Sequence, residues 1–382
     1  MTIRQLIGHK IKMMNKYVVI VIGITVVIIS ALTIINTPSD TTILLPSPYA
    51  EDRASAVKVI ADGLEFPTGV AVLPDKRIII TEQTGKALIL NSNGSQLNNY
   101  EVPDNYFDEG AGLLGLAIHP QFVNNHYLYL YYTYKNNDNQ TFNKIIRLQE
   151  KNNSLSEAET IIDHIPASKL HNGGVLKFGP DGKLYIGVGD TTNSELAQNL
   201  SSLAGKILRV NDDGTIPSDN PFPNSSIYSY GHRNVVGITW DFNNNTMYAS
   251  EAGRIGNDEI NVIKAGENYG WPIEECGNLE ESLFINAEFC FTPSIYPSGI
   301  LISNSTELDY YGKLIVATLK GEHLRSIDPI SKDQSSILTG YGKIKDVTED
   351  NDGSLYLITN NRDFFDNGGV AIDKLLKIVG NN

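Results

Sequence analysis

Apolar positions along this chain come in short β-branched and aromatic runs broken by Gly, Asn, Asp and Pro. No long segment of helical period follows Val57. The runs pair up. Gly69–Asp75 is followed by Arg77–Thr81, Gly115–Pro120 by Tyr127–Tyr131, Val175–Gly182 by Leu184–Val188, and Gly237–Asp241 by Thr246–Ser250. A degenerate copy spans Leu308–Ala317, and the last joins Asp346–Asp350 to Ser354–Ile358. Each unit predicts a strand, a turn and a second strand. Six such units, roughly 40–65 residues apart, predict an all-β fold, a six-bladed β-propeller. Val57–Ile60 and Leu375–Val379 are placed to complete one blade together. A pair of β-sandwiches is the alternative, but it leaves the recurrence of one turn motif unexplained.

One apolar run is of another kind. Tyr17–Ile35 carries no charge and follows Arg4, Lys10, Lys12 and Lys16. At about 1.5 Å per residue in a helix it matches the thickness of a bilayer core, and the basic flank stays on the cytoplasmic side. The expected organisation is a basic flank (1–16), a transmembrane helix (17–35), a linker (36–56) and a propeller (57–382). The propeller then lies on the extracellular or periplasmic face, membrane-anchored, or secreted if the apolar run is a cleaved signal. The apolar core of a cleaved signal is shorter, about 7–15 residues.

Composition narrows the function. At 41% hydrophobic and 19% charged residues, a disordered chain is excluded. The net charge is −14, and setting aside the four basic residues of the first 36 leaves 26 against 44, or −18. Such a surface repels phosphate, so nucleic acid is no expected partner. Cys276 and Cys290 are expected to pair in an oxidising compartment. Asn-x-Ser/Thr sequons begin at Asn93, Asn139, Asn152, Asn199, Asn224, Asn244 and Asn304.

Candidate chemistry gathers where strands leave the repeats. His171-Asn172-Gly173-Gly174 precedes one repeat and Gly189-Asp190 ends its second strand. A hairpin brings those ends together, so Asp190 is placed to hold the His171 ring and support it as a base. Gly231-His232-Arg233-Asn234 and Glu251-Ala252-Gly253 repeat the arrangement one blade on. Lys320, Lys343 and Lys345 fall at comparable positions and converge on the axis if the blades close.

These residues, with Asn257-Asp258-Glu259-Ile260-Asn261, Asn268-Tyr269-Gly270-Trp271-Pro272 and Gly112-Leu113-Leu114-Gly115, resemble the glucose/sorbosone dehydrogenase family from about Gly63 to Val379. The resemblance implies oxidation of an aldose sugar at the anomeric carbon to the lactone, using pyrroloquinoline quinone and Ca²⁺, with an external electron acceptor. It implies that His171 is the general base, Asp190 its supporting carboxylate, and Arg233 the cation beside the quinone carbonyls. Asn234, Lys320, Lys343 and Lys345 match cofactor-binding positions. The carbonyls of Gly253 and Arg254 match those holding the cofactor's calcium, and Glu259 with the Tyr269 carbonyl matches a second, structural calcium site.

The chain departs from the family pattern in three places. Val235-Val236 stands where Pro-Gln is common, Lys343-Ile344-Lys345 where Arg-x-Arg is usual, and Glu109-Gly110-Ala111-Gly112 is one residue longer. Lysine keeps the charge but loses the bidentate fork. Two other readings stand beside the first: a calcium-bearing propeller lactonase or hydrolase, and a non-enzymatic propeller binding glycan or protein through a degenerate site.

Overall fold

A computed structural model describes residues 56–254, 256–276, 282–362 and 372–380. The apolar run 17–35 and nearly all of the linker lie outside the described residues. Among the described residues no helix is long and apolar enough to cross a membrane.

The strands form six four-stranded antiparallel sheets, as the repeats predict. The first blade is β2 (Pro67–Val72), β3 (Ile78–Glu82), β4 (Lys86–Leu90) and β5 (Gln96–Glu101). The second is β6 (Leu113–Ile118), β7 (Tyr127–Lys135), β8 (Thr141–Lys151) and β9 (Ser154–Pro166). The third is β10 (Leu176–Phe178), β11 (Leu184–Val188), β12 (Lys206–Val210) and β13 (Ile227–Tyr230). The fourth is β14 (Val235–Asp241), β15 (Thr246–Glu251), β16 (Asp258–Ile263) and β17 (Phe289–Phe291). The fifth is β18 (Pro297–Ile302), β19 (Leu314–Thr318), β20 (His323–Ile327) and β21 (Gln334–Thr339). The sixth takes β22 (Ile344–Glu349), β23 (Leu355–Thr359) and β24 (Asp373–Val379) from the end of the chain, and β1 (Ala56–Leu64) from its start. Val57 pairs with Ile378 and Val59 with Leu376, so the two ends of the domain share one sheet.

Burial explains the residue pattern. β3, β11, β19 and β23 are buried along their whole length between neighbouring blades, which is why they read as unbroken apolar runs. β5 faces water and is polar almost throughout. Blades pack sheet against sheet: Tyr129, Tyr131 and Ile145 of the second meet Leu176, Ile186 and Leu208 of the third.

One repeat is drawn differently from its pattern. The fifth blade's inner strand is Pro297–Ile302, not a segment beginning at Leu308. Leu308 lies in the connection to β19, buried beside Leu301 and Ile315. Its burial is legible, but Pro297 and Gly299 disguise the true strand. Proline is tolerated there because it opens the strand.

Candidate active site

The inner strands β2, β6, β10, β14, β18 and β22 all start at one end of the axis, and every second strand finishes there. Residues on these loops therefore meet. A cavity of about 600 Å³ opens at that end, lined by His171, Asn234, Lys320, Lys343 and Lys345 among others.

The His171–Gly174 loop is built to present one ring. Asn172 is buried, its amide donating to Gly110 O at 2.8 Å and Ser168 O at 2.7 Å and its Oδ1 accepting from Ser168 N at 2.9 Å. Gly173 has φ +66°, and a Cβ there would stand 2.4 Å from Gly187 O, so only glycine lets the loop lie on β11. His171 itself is left-handed at φ 55°, a conformation a non-glycine residue holds only when its surroundings impose it.

Asp190 is the hub. Its Oδ1 lies 2.8 Å from His171 Nδ1 and accepts from Thr192 N at 2.8 Å, while Oδ2 accepts from Trp271 Nε1 at 2.9 Å. A carboxylate only accepts, so the proton of a neutral His171 sits on Nδ1 and the Nε2 lone pair faces the cavity side. Arg233 Nη2 is 3.1 Å from that Nε2. The same guanidinium donates through Nη1 to Ala252 O at 2.6 Å and Gly253 O at 2.8 Å, and lies over the Trp271 ring at 5.4 Å. Asn234 Oδ1 accepts from Gly173 N at 3.0 Å, tying the two blades' loops together.

The next blade repeats the pairing and puts it to another use. His232 and Glu251 are nineteen residues apart, like His171 and Asp190, and meet at 2.6 Å. His232 is fully buried, bonded through Nε2 to Ser229 Oγ at 2.8 Å and stacked on Tyr269. Both ring nitrogens are engaged, so this histidine is structural.

The cavity's charge is cationic in an acidic domain. Lys320, Lys343, Lys345 and Arg362 line it against Glu109 and Glu322. Arg362, Gln83, Tyr296 and Asn360 are additions to the residues singled out from the sequence. Gln83 and Arg362 follow β3 and β23 as Asp190 follows β11, so their blade position is the signal that finds them. Gln83 Nε2 donates to Glu109 O at 2.8 Å and Ala111 O at 3.0 Å, which fixes the 109–112 loop.

The residues matched to calcium lie elsewhere around Arg233. Gly253 O already faces the guanidinium, and Arg254 pairs with Glu275 at 2.8 Å and covers the other part of Trp271. Glu259 and Tyr269 line a small cavity with Glu251, Glu274 and Glu275. Burial, together with the charge of Glu251, pushes Glu259 up to about 7. Its carboxylate accepts from Asn261 Nδ2 at 3.0 Å and from Cys276 N, beside the Cys276–Cys290 disulfide. Glu274 Oε1 is buried without a partner. This surplus of negative charge suits a cation. Among the described residues no three His, Cys, Asp or Glu side chains converge as a ligand set, so one carboxylate and main-chain oxygens would have to hold it.

The glucose/sorbosone dehydrogenase profile matches residues 64–365, the whole of this site included. The chain belongs to that family. The quinoprotein glucose dehydrogenase B of Acinetobacter calcoaceticus is 38% identical over 264 residues, covering 60% of this chain and 55% of that one. The aldose sugar dehydrogenase YliI of Escherichia coli is 30% identical over 348 residues, covering 82% and 92%. The solved PQQ-bound form of an aldose sugar dehydrogenase from Streptomyces coelicolor has 33% identity and a TM-score of 0.77, covering 86% of this chain and 98% of that one.

Proposed function

We propose that this protein is a quinoprotein that oxidises an aldose sugar at its anomeric carbon to the lactone, with His171 as the general base. The observation that carries the reading is the His171–Asp190 pair, 2.8 Å apart, at the edge of a cavity with four cationic side chains. Pyrroloquinoline quinone, when bound, supplies the acceptor for the hydride leaving the anomeric carbon. Lys320, Lys343 and Lys345 would hold its carboxylates, with Asn234 on the same wall. The two lysines of β22 and its lead-in act as point charges, and a lysine orients a carboxylate less strictly than an arginine fork.

His171 Nε2 takes the proton of the anomeric hydroxyl, and Asp190 stabilises the imidazolium that results through its bond to Nδ1. Arg233, now bonded to Nε2, must release the ring for that transfer. It keeps its charge beside the reacting centre, where it stabilises developing negative charge. Calcium is proposed at the carbonyls of Gly253 and Arg254, and a second ion at Glu259 and the Tyr269 carbonyl.

The location of the reaction is part of the proposal. The basic flank and Tyr17–Ile35 support a domain tethered outside the cytoplasm, with electrons passed on to an external acceptor. Protease added to right-side-out vesicles should digest the domain, and full protection would reverse the orientation.

The deciding experiment adds pyrroloquinoline quinone and Ca²⁺ to metal-stripped protein. Cofactor absorbance retained after desalting, with aldose-dependent dye reduction, is the expected result. Retention without reduction of dye by any aldose would favour a binding propeller, and neither would end the quinoprotein reading.

A further inference from the structure

Beneath the active-site cavity, the six inner strands enclose a channel of about 310 Å³ along the propeller axis. Most of its wall is backbone and aliphatic side chain, from Val70, Leu116, Val236, Ile238 and Ile300. Three charged side chains interrupt it: Lys177 on β10, and Lys345 and Asp346 on β22. The third and sixth blades face each other across the ring, so the two lysines approach the axis from opposite sides. Lys177 is solvent-accessible, but the surface it shows is turned into the channel.

We propose that this axial channel binds a small inorganic anion of halide size between Lys177 and Lys345. Asp346 can offset only one of the two, and its oxygens are already engaged by the main chain. Its Oδ2 accepts from Val70 N at 3.0 Å and its Oδ1 from Val347 N at 2.9 Å, and it lies against Gly299, where a Cβ would stand 2.1 Å from Oδ1. Among the described residues neither lysine makes an ion pair or a side-chain hydrogen bond. Two ammonium groups against one carboxylate leave a single positive charge in a channel walled by backbone and aliphatic side chains. An enclosed charge is stabilised by a counter-ion or is lost by deprotonation. Burial disfavours both ammonium groups and Asp346 favours them, so a bound anion adds to the side that keeps them charged. A net charge of one matches a monoanion better than a phosphate or a dicarboxylate, each of which would leave uncompensated negative charge in the channel. Lys345 also lines the upper cavity, whereas Lys177 does not, so Lys177 separates this site from any carboxylate held above it.

The test uses the full-length protein without added cofactor. Sodium bromide replaces sodium isethionate at constant ionic strength while the melting temperature is followed, and chloride-35 line width is recorded with bromide as competitor. The expected result is a saturable rise in melting temperature, since an ion bound only by the folded state stabilises it, and excess line broadening that bromide removes. Lys177→Met should raise the bromide midpoint by about tenfold or more, and Asp346→Asn, which adds a net positive charge, should lower it. A melting temperature indifferent to bromide, or the same midpoint in both variants, overturns the site. Should Lys177→Met fail to fold, Asp346→Asn decides alone: a lower midpoint supports the site, an equal or higher one removes it.

Discussion

Asp190 receives hydrogen bonds from His171, Thr192 and Trp271, three separate parts of the chain. Replacing it with Asn puts an amide where a carboxylate had fixed the tautomer. Asp190→Asn should therefore lower kcat while leaving the affinity for pyrroloquinoline quinone close to the parent's. His171→Gln should do the same and more fully, with a loss of about 10²–10⁴ in turnover, the usual size for a general base. Steady-state dye reduction and cofactor titration by absorbance, run on the same preparations, separate the two effects. A parental rate in His171→Gln would remove the histidine from the chemistry. This pair was legible in the sequence because a hairpin's register dictates which ends meet. The sequence singled out Arg233, which lies beside His171, but its grip on the Ala252 and Gly253 carbonyls was not legible. That depends on the path of the chain after β15, which no periodicity records. Arg362 was missed for a simpler reason: it follows a strand in a repeat whose loop carries no recognisable motif.

Between elements, two clusters tie stability to different solution conditions. Arg77, entering β3, grips Glu150 of β8 with Nη1 to Oε1 at 2.7 Å and Nη2 to Oε2 at 3.1 Å, joining the first two blades. The guanidinium holds the Glu150 carboxyl below its ordinary 4.5. A depressed carboxyl adds stability above its unfolded value and loses it as pH falls through the folded one. Stability should thus decline as pH falls below about 4.5, and Glu150→Gln should flatten that limb and cost on the order of 1–3 kcal/mol at neutral pH. Melting curves between pH 3 and pH 7 measure both. The second cluster, Glu251, Glu259, Glu274 and Glu275, concentrates negative charge around β15 and β16. Chelation should lower the melting temperature and Ca²⁺ should restore it better than Mg²⁺, which demands near-ideal octahedral geometry and sheds its water reluctantly. Identical melting in chelator and in Ca²⁺ would count against an ion there. The repeats disclosed five inner strands at sight, because a blade's second strand is buried on both faces and reads as an apolar run. The fifth inner strand stayed hidden behind Pro297 and Gly299, residues that suit its place at the start of a strand and beside Asp346.

For the molecule as a whole, closure of the ring rests on β1. The sixth blade places it outermost, after β22, β23 and β24, and it is the only strand of that blade drawn from the other end of the chain. Val57 and Val59 supply the pairing to Ile378 and Leu376 that no neighbouring segment can replace. Without β1, β24 becomes an open edge whose free N–H and C=O groups invite pairing with another chain. The active-site cavity depends on the same closure, since Lys343, Lys345, Asn360 and Arg362 belong to the sixth blade and Phe66, Thr68 and Gln83 to the first. Deleting residues 1–64 should therefore cost more than a terminal truncation ordinarily does. The expected outcome is a lower melting temperature, concentration-dependent association, and loss of cofactor binding although every proposed cofactor contact is retained. A control deleting residues 1–52, which stops before the strand, should bind the cofactor like the full chain. If both truncations bound the quinone and melted alike, the ring would be held by blade-to-blade packing alone, and the shared sheet would be a convenience of the chain's path.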